Sequence, residues 1–157
     1  MIGGASEVLA AILIQARWRD PRLKFVGSRF LVGVPESAKE GREWVTERLS
    51  EARAVPADLL DDVRLLTSEL VTNAITHTRS RGGAVLIRLG VSRSGDPLLV
   101  HVEVVDAGSA EGVCPQVLPC SSDSENGRGL FLLDHLASRW GVAQAHPGTA
   151  VWAQIHE

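Results

Sequence analysis

The run Thr67-Ser68-Glu69-Leu70-Val71-Thr72-Asn73-Ala74-Ile75-Thr76-His77-Thr78 decides how the rest of the chain is read. It closes a helical pattern that opens at Pro56, a residue suited to the first helical position, with Asp58, Asp61 and Asp62 near the positive end of the dipole. Leu59, Val63, Leu66 and Leu70 recur at helical spacing and form one apolar stripe. Residues four apart advance about 40° around a helix, so Glu69, Asn73 and His77 climb one edge together, close in angle to that stripe. Polar groups turned inward need partners. A carboxylate followed one turn later by a carboxamide offers a general base and a hard oxygen ligand, and Mg2+ carried on substrate phosphates needs few protein ligands. Taken alone, the triplet also suits a buried polar network or a solvated helix edge.

Outward from this helix the chain alternates between regular patterns and punctuation. Gly82-Gly83 ends the helix, which reaches to about Thr78. Ala84 to Val91 and Leu98 to Val105 read as strands joined by the turn-rich Ser92-Arg93-Ser94-Gly95-Asp96-Pro97, an antiparallel hairpin. Upstream, Phe25 to Val34 is rich in β-branched and aromatic residues and stops at Pro35, as a strand does. Glu36 to Ala54 carries Ala38, Trp44, Val45 and Leu49 among Glu and Arg, an amphipathic helix. From Asp106 to Gly129 periodicity fails, and a loop that long in a compact domain is more often functional than idle. Leu130 to Arg139 is expected to be a helix, and Gly141 to Ala145 pairs with Thr149 to Ile155 around His146-Pro147-Gly148. Residues 1–24 read as an N-terminal extension holding a short helix, and residues 25–157 as one domain without internal repeat.

Length and composition bound the function. The 157 residues suffice for one globular core, and 45% hydrophobic with 22% charged residues argues against disorder and collagen-like repeats. The longest apolar runs, such as Val8 to Ile14, fall well under the ~20 residues of a membrane helix. That run lacks a basic flank and a small-residue cleavage site, so the expectation is a cytoplasmic protein without a membrane partner. A net charge of −3 with a pI near 5.9 gives no long-range attraction to nucleic acid. Only Lys24 and Lys39 are lysines among sixteen basic residues, and neither has the neighbours that a Walker A loop or a protein-kinase fold requires. Cys114 and Cys120 flank Pro115 and Pro119 and read as two unpaired thiols or as the ends of a redox-closed loop.

Two further constellations can carry chemistry. In Val102-Glu103-Val104-Val105-Asp106-Ala107-Gly108, Asp106 stands where a strand gives way to the long loop. An ionised carboxylate only accepts hydrogen bonds, so it can select an exocyclic amino group such as that of adenine. Gly108 lets the backbone pass close to a base or ribose. In Ser124-Glu125-Asn126-Gly127-Arg128-Gly129-Leu130, glycines before a helix expose amides to a phosphate, and Arg128 adds charge. Each motif alone has a plain structural alternative, an everyday turn for the first and a ligand-free helix start for the second.

The order and spacing of these pieces resemble the GHKL, or Bergerat-fold, ATPases: Glu-x3-Asn-x3-His on a helix, Asp-x-Gly after a hairpin, Gly-x-Gly-Leu before a helix, and Gly148-Thr149 in a terminal hairpin. Ser68-Glu69-Leu70-Val71-Thr72-Asn73-Ala74 and Arg139-Trp140-Gly141-Val142 look like the anti-sigma-factor serine kinases of bacteria. The resemblance spans about residues 25–157. It implies an α/β (α+β) two-layer sandwich, a mixed, mostly antiparallel sheet with helices on one face. It further implies ATP and Mg2+ as cofactors, with Asn73 as the metal ligand and Glu69 as the base that activates an attacking hydroxyl. Asp106 would receive the adenine amino group, Gly108 would shape the base pocket, and Thr149 would support Asp106. Gly127, Arg128, Gly129 and Leu130 would hold phosphate in a lid formed by Ser109 to Asn126, and His77 would line the phosphate side. The implied partners are a sigma factor and an anti-sigma-factor antagonist protein, with room for a homodimer. A nucleotide-gated partner-binding module without phosphoryl transfer is the alternative.

Overall fold

The computed structural model describes residues 20–76, 83–106, 132–145 and 148–157. Five strands form one sheet: β1 (Leu23–Val32), β2 (Ala84–Ser92), β3 (Leu99–Val105), β4 (Arg139–Ala145) and β5 (Gly148–His156). Their order across the sheet is β1-β2-β3-β5-β4. Every pairing among the described strands is antiparallel, which sharpens the expected mixed sheet. Helices α1 (Ser37–Ala52) and α2 (Ala57–Thr76) stack on one face, α1 over β1 and β2, α2 over β3, β5 and β2. No described helix is long and apolar enough to cross a membrane.

The core lies between the sheet and these helices. Val85, Ile87, Leu89 and Val91 of β2 and Val100, Val102 and Val104 of β3 meet Leu59, Val63, Leu66 and Leu70 of α2 in one buried cluster. On α1, Ala38, Trp44, Val45 and Leu49 supply the inward face. Gly41 sits where α1, α2 and β1 approach most closely. A Cβ there would stand 3.3 Å from Leu31 Cδ1 and 3.4 Å from Val71 Cγ2, so an alanine would make the Leu31 side chain give by a few tenths of an ångström.

Several element boundaries differ from the sequence reading. β1 runs from Leu23 to Val32 rather than from Phe25 to Val34. β2 extends to Ser92, which gives Leu23 its partner, Lys24 stands opposite Val91, and the ladder closes at Val32 opposite Ala84. α2 is described to Thr76. The expected helix 130–139 is described as a helical turn at 132–136, and Arg139 and Trp140 belong to β4. Pairing decides this: Ser138 N donates to Gln154 O at 2.8 Å, and Arg139 and Trp140 stand opposite Gln154 and Ala153 of β5. The expected helix within residues 1–24 falls mainly on residues 1–19, outside the described residues.

Candidate functional site

The end of the sheet where β3 stops and β5 begins is closed by a reciprocal pair of hydrogen bonds. Asp106 N donates to Thr149 O at 2.9 Å, and Thr149 N donates to Asp106 Oδ1 at 3.3 Å. This extends the β3–β5 ladder past its last rung, Val105 opposite Ala150. Both residues are shut off from solvent, Asp106 at 5% and Thr149 at 6% exposure. A buried carboxylate needs hydrogen-bond donors. Thr149 supplies one through its main-chain N–H.

α2 brings its C-terminal half to the same end. Gly41 touches both Leu31 and Val71, which sets the Val71 turn level with Leu31. Leu31 pairs with Val85, and the next residue, Leu86, pairs with Val105. The turn of α2 that carries Asn73 therefore stands beside the end of β3 that carries Asp106. The flank of α2 that bears Thr67, Ser68 and Val71 faces α1, where Arg42 Nη1 donates to Ser68 Oγ at 2.7 Å. Glu69 and Asn73 occupy the opposite flank, and both are half-buried. The buried positions of α2 are Leu59, Val63, Leu66, Thr67, Leu70, Val71, Ala74 and Ile75, so the stripe read from the sequence continues and widens toward α1. This leaves Glu69 and Asn73 at its rim, reachable by a ligand.

The described structure thus gathers Asn73, Asp106 and Thr149 at one end of the sheet, with Glu69 one helical turn back. His77, Gly108, Gly127, Arg128, Gly129 and Leu130 lie outside the described residues, as do Cys114, Cys120 and the expected lid. Among the described residues no group of three or more His, Cys, Asp or Glu is placed to hold a metal ion. A half-buried carboxamide such as that of Asn73 suits a cation that arrives already bound to phosphates, which needs few protein ligands.

The sequence reading passed over a second polar assembly on the sheet face away from α1 and α2. Arg88 of β2 and Glu103 of β3 are direct cross-strand neighbours, with Arg88 Nη1 at 3.4 Å from Glu103 Oε2. Phe25 lies beneath the guanidinium, with Arg88 Cζ 5.7 Å from its ring centroid. His101 stacks on Trp152 at 5.7 Å, and Gln154 Nε2 lies 3.2 Å from His101 Nδ1. The signal was the period of two in β3, where His101 and Glu103 alternate with Val100, Val102 and Val104.

An antiparallel sheet with helices on one face and a buried carboxylate closing a central strand is the α+β architecture of the GHKL ATPases. The histidine kinase-like ATPase domain family matches residues 33–155. The chain belongs to that family, and membership carries ATP binding and a regulatory role with it. No curated protein matches the chain.

Proposed function

We propose that the protein is an ATP-dependent serine kinase of the anti-sigma-factor type, binding a sigma factor and phosphorylating an antagonist protein in the cytoplasm. The observation that carries the reading is Asp106, a buried carboxylate held by Thr149 at the end of β3, beside the turn of α2 that bears Asn73. Asp106 accepts and cannot donate, so it favours the adenine amino group and disfavours a guanine carbonyl. Asn73 offers its carboxamide oxygen to Mg2+ on the nucleotide phosphates. Glu69, half-buried one turn away, accepts the proton of the acceptor serine as its oxygen attacks the γ-phosphorus, the bond to the β–γ bridging oxygen breaks and ADP leaves. Mg2+, when bound, supplies charge neutralisation for phosphoryl transfer, and the protein supplies position. Gly127, Arg128 and Gly129 contribute phosphate contacts in this reading, with Leu130 beside them; Gly108 borders the base and His77 the phosphates.

Calorimetry and a transfer assay test it together. ATP should bind more tightly than GTP by about 1–3 kcal/mol, the cost of an unpaired buried polar group, and Asp106→Asn should remove the preference. Glu69→Ala should lower transfer to an antagonist protein by about 10²–10⁴-fold with nucleotide binding retained. Equal affinity for ATP and GTP would overturn the adenine assignment. ATP binding without transfer to any antagonist, together with partner binding indifferent to Glu69→Ala, would establish the nucleotide-gated binding module instead.

A further inference from the structure

The sheet face away from the helices contains a donor and acceptor chain that the phosphoryl chemistry does not use. Gln154, at 4% exposure, has its Nε2 at 3.2 Å from Asp20 Oδ2 and at 3.2 Å from His101 Nδ1. Its Oε1 is buried without a hydrogen-bond partner. Asp20 is a carboxylate gripped by Arg22, whose Nε and backbone N both lie 3.0 Å from Oδ1 and whose Nη2 lies 2.7 Å from Oδ2. These bonds, the side-chain bond first, hold the Asp20 carboxyl well below the usual carboxylate range.

Donor accounting then orients every group. A carboxylate only accepts, so Gln154 must turn its nitrogen toward Asp20. The second hydrogen of that nitrogen reaches His101 Nδ1, which therefore accepts and carries no proton. The ring proton sits on Nε2, the atom nearest Glu103 Oε2 at 3.9 Å. The charged and titratable groups around the ring are Glu103 on its own strand, Arg88 on β2, Asp20 ahead of β1, His156 on β5, and Arg139 on β4 opposite Gln154.

We propose that His101, Gln154 and Asp20 form a proton-operated latch in which a second proton on the imidazole releases Asp20 from the sheet. The proton comes from solvent and binds Nδ1. An N–H at that position cannot face the amide nitrogen, so the Gln154 amide turns and Oε1 accepts from Nδ1–H. The turn gives the orphaned Oε1 its partner, now a charge-assisted one. It also withdraws Nε2 from Asp20 Oδ2 and leaves an oxygen there, so the carboxylate parts from β5. Asp20 O accepts from Leu23 N at 3.1 Å, and Leu23 opposite Ser92 is the first rung of β1. Opening the latch therefore loosens the turn that starts β1.

Nuclear magnetic resonance on the full chain, isotopically labelled, tests this directly. Before the ring takes up its second proton, the ring nitrogens of His101 should report the proton on Nε2 and none on Nδ1. As His101 titrates, the Gln154 side-chain amide should shift with the same midpoint. Exchange of the Leu23 amide, corrected for its intrinsic pH dependence, should rise about tenfold, the loss of one hydrogen bond to a charged group. Leu31 at the far end of β1 should keep its protection. Gln154→Leu should uncouple Leu23 from the titration of His101; should that variant fail to fold, the wild-type titration decides alone. A neutral His101 protonated on Nδ1, or Gln154 and Leu23 signals that stay still while His101 titrates, would overturn the latch.

Discussion

On the face covered by α1 and α2, β2 and β3 present Val85, Ile87, Leu89, Val91, Val100, Val102 and Val104, and every one is buried. On the other face the same two strands present Arg88, His101 and Glu103, and β5 adds Trp152 and Gln154 beside them. The first face is held by area. Its contacts are non-directional, so each residue contributes in proportion to the surface it removes from water. The second face also buries Leu86, Val105 and Ala150 in a small apolar cluster, but its polar assembly is held by pairing, because a buried charge or amide stabilises only while its partner is in place. Truncation on the helix side should therefore scale with the atoms removed, whereas on the other side the result should depend on which partner remains.

The largest effect is expected on the helix side. Leu70→Ala should destabilise by about 2–5 kcal/mol, since Leu70 is fully buried between α2 and the sheet and its removal leaves a cavity. Denaturant unfolding measures this, and a loss under 1 kcal/mol would mean that the helix layer repacks freely.

Next comes the ion pair. Arg88→Met should cost more than the double variant Arg88→Met with Glu103→Leu, because the single change strands a mostly buried carboxylate and the double change leaves none. Equal losses in the two variants would show that the carboxylate stays hydrated and that this face is not governed by pairing.

Gly141→Ala probes the same face by volume. A Cβ at Gly141 would stand 2.8 Å from Trp152 Cζ2, and Trp152 is backed on its other side by His101. Overpacking of this kind costs about 1–3 kcal/mol. The indole fluorescence of Trp152 should change with it, and an unperturbed spectrum with unchanged stability would show that the ring has room to move.

The smallest effect is the pH dependence of Asp20. Its carboxyl titrates below the usual range because Arg22 grips the charged form, so the pair stabilises the fold above the unfolded value of about 3.9. That contribution is lost as pH falls from there toward the lower native value. Arg22 is 55% exposed, so solvent screens the pair and keeps the gain small. The melting temperature of Asp20→Asn should lie slightly below wild type at neutral pH and meet it in strong acid. A gap that persists there would assign the difference to packing rather than to charge.

The candidate site divides in the same way between what could be read and what could not. The spacing of Glu69 and Asn73 sets them one turn apart on one helix edge in any α-helix, so their mutual placement needed no tertiary information. Their position at the rim of the buried stripe did, because α1 decides which flank of α2 is covered, through Gly41 against Val71 and Arg42 against Ser68. Asp106 was legible as a strand-end carboxylate. The resemblance paired it with Thr149, and the structure shows the main-chain N–H of Thr149 donating to its carboxylate, an interaction that side-chain chemistry does not reveal.

By itself the sequence determined the elements whose pattern repeats: the helix stripe of Leu59, Val63, Leu66 and Leu70, the turn at residues 93–97, and the terminal hairpin. Periodicity is a local property, and the apolar residues that express it lie within a few positions of one another. Only the tertiary structure decided the boundaries and the second polar assembly. Arg139 and Trp140 entered a strand because β5 offered them a ladder, and Leu23 and Lys24 joined β1 because Ser92 and Val91 of β2 stand opposite them. Gln154 met Asp20 across 134 positions, and Arg88 met Glu103 because the β2–β3 register sets them opposite. Contacts of that kind are specified by register and chain path, which a linear pattern of residue types does not encode.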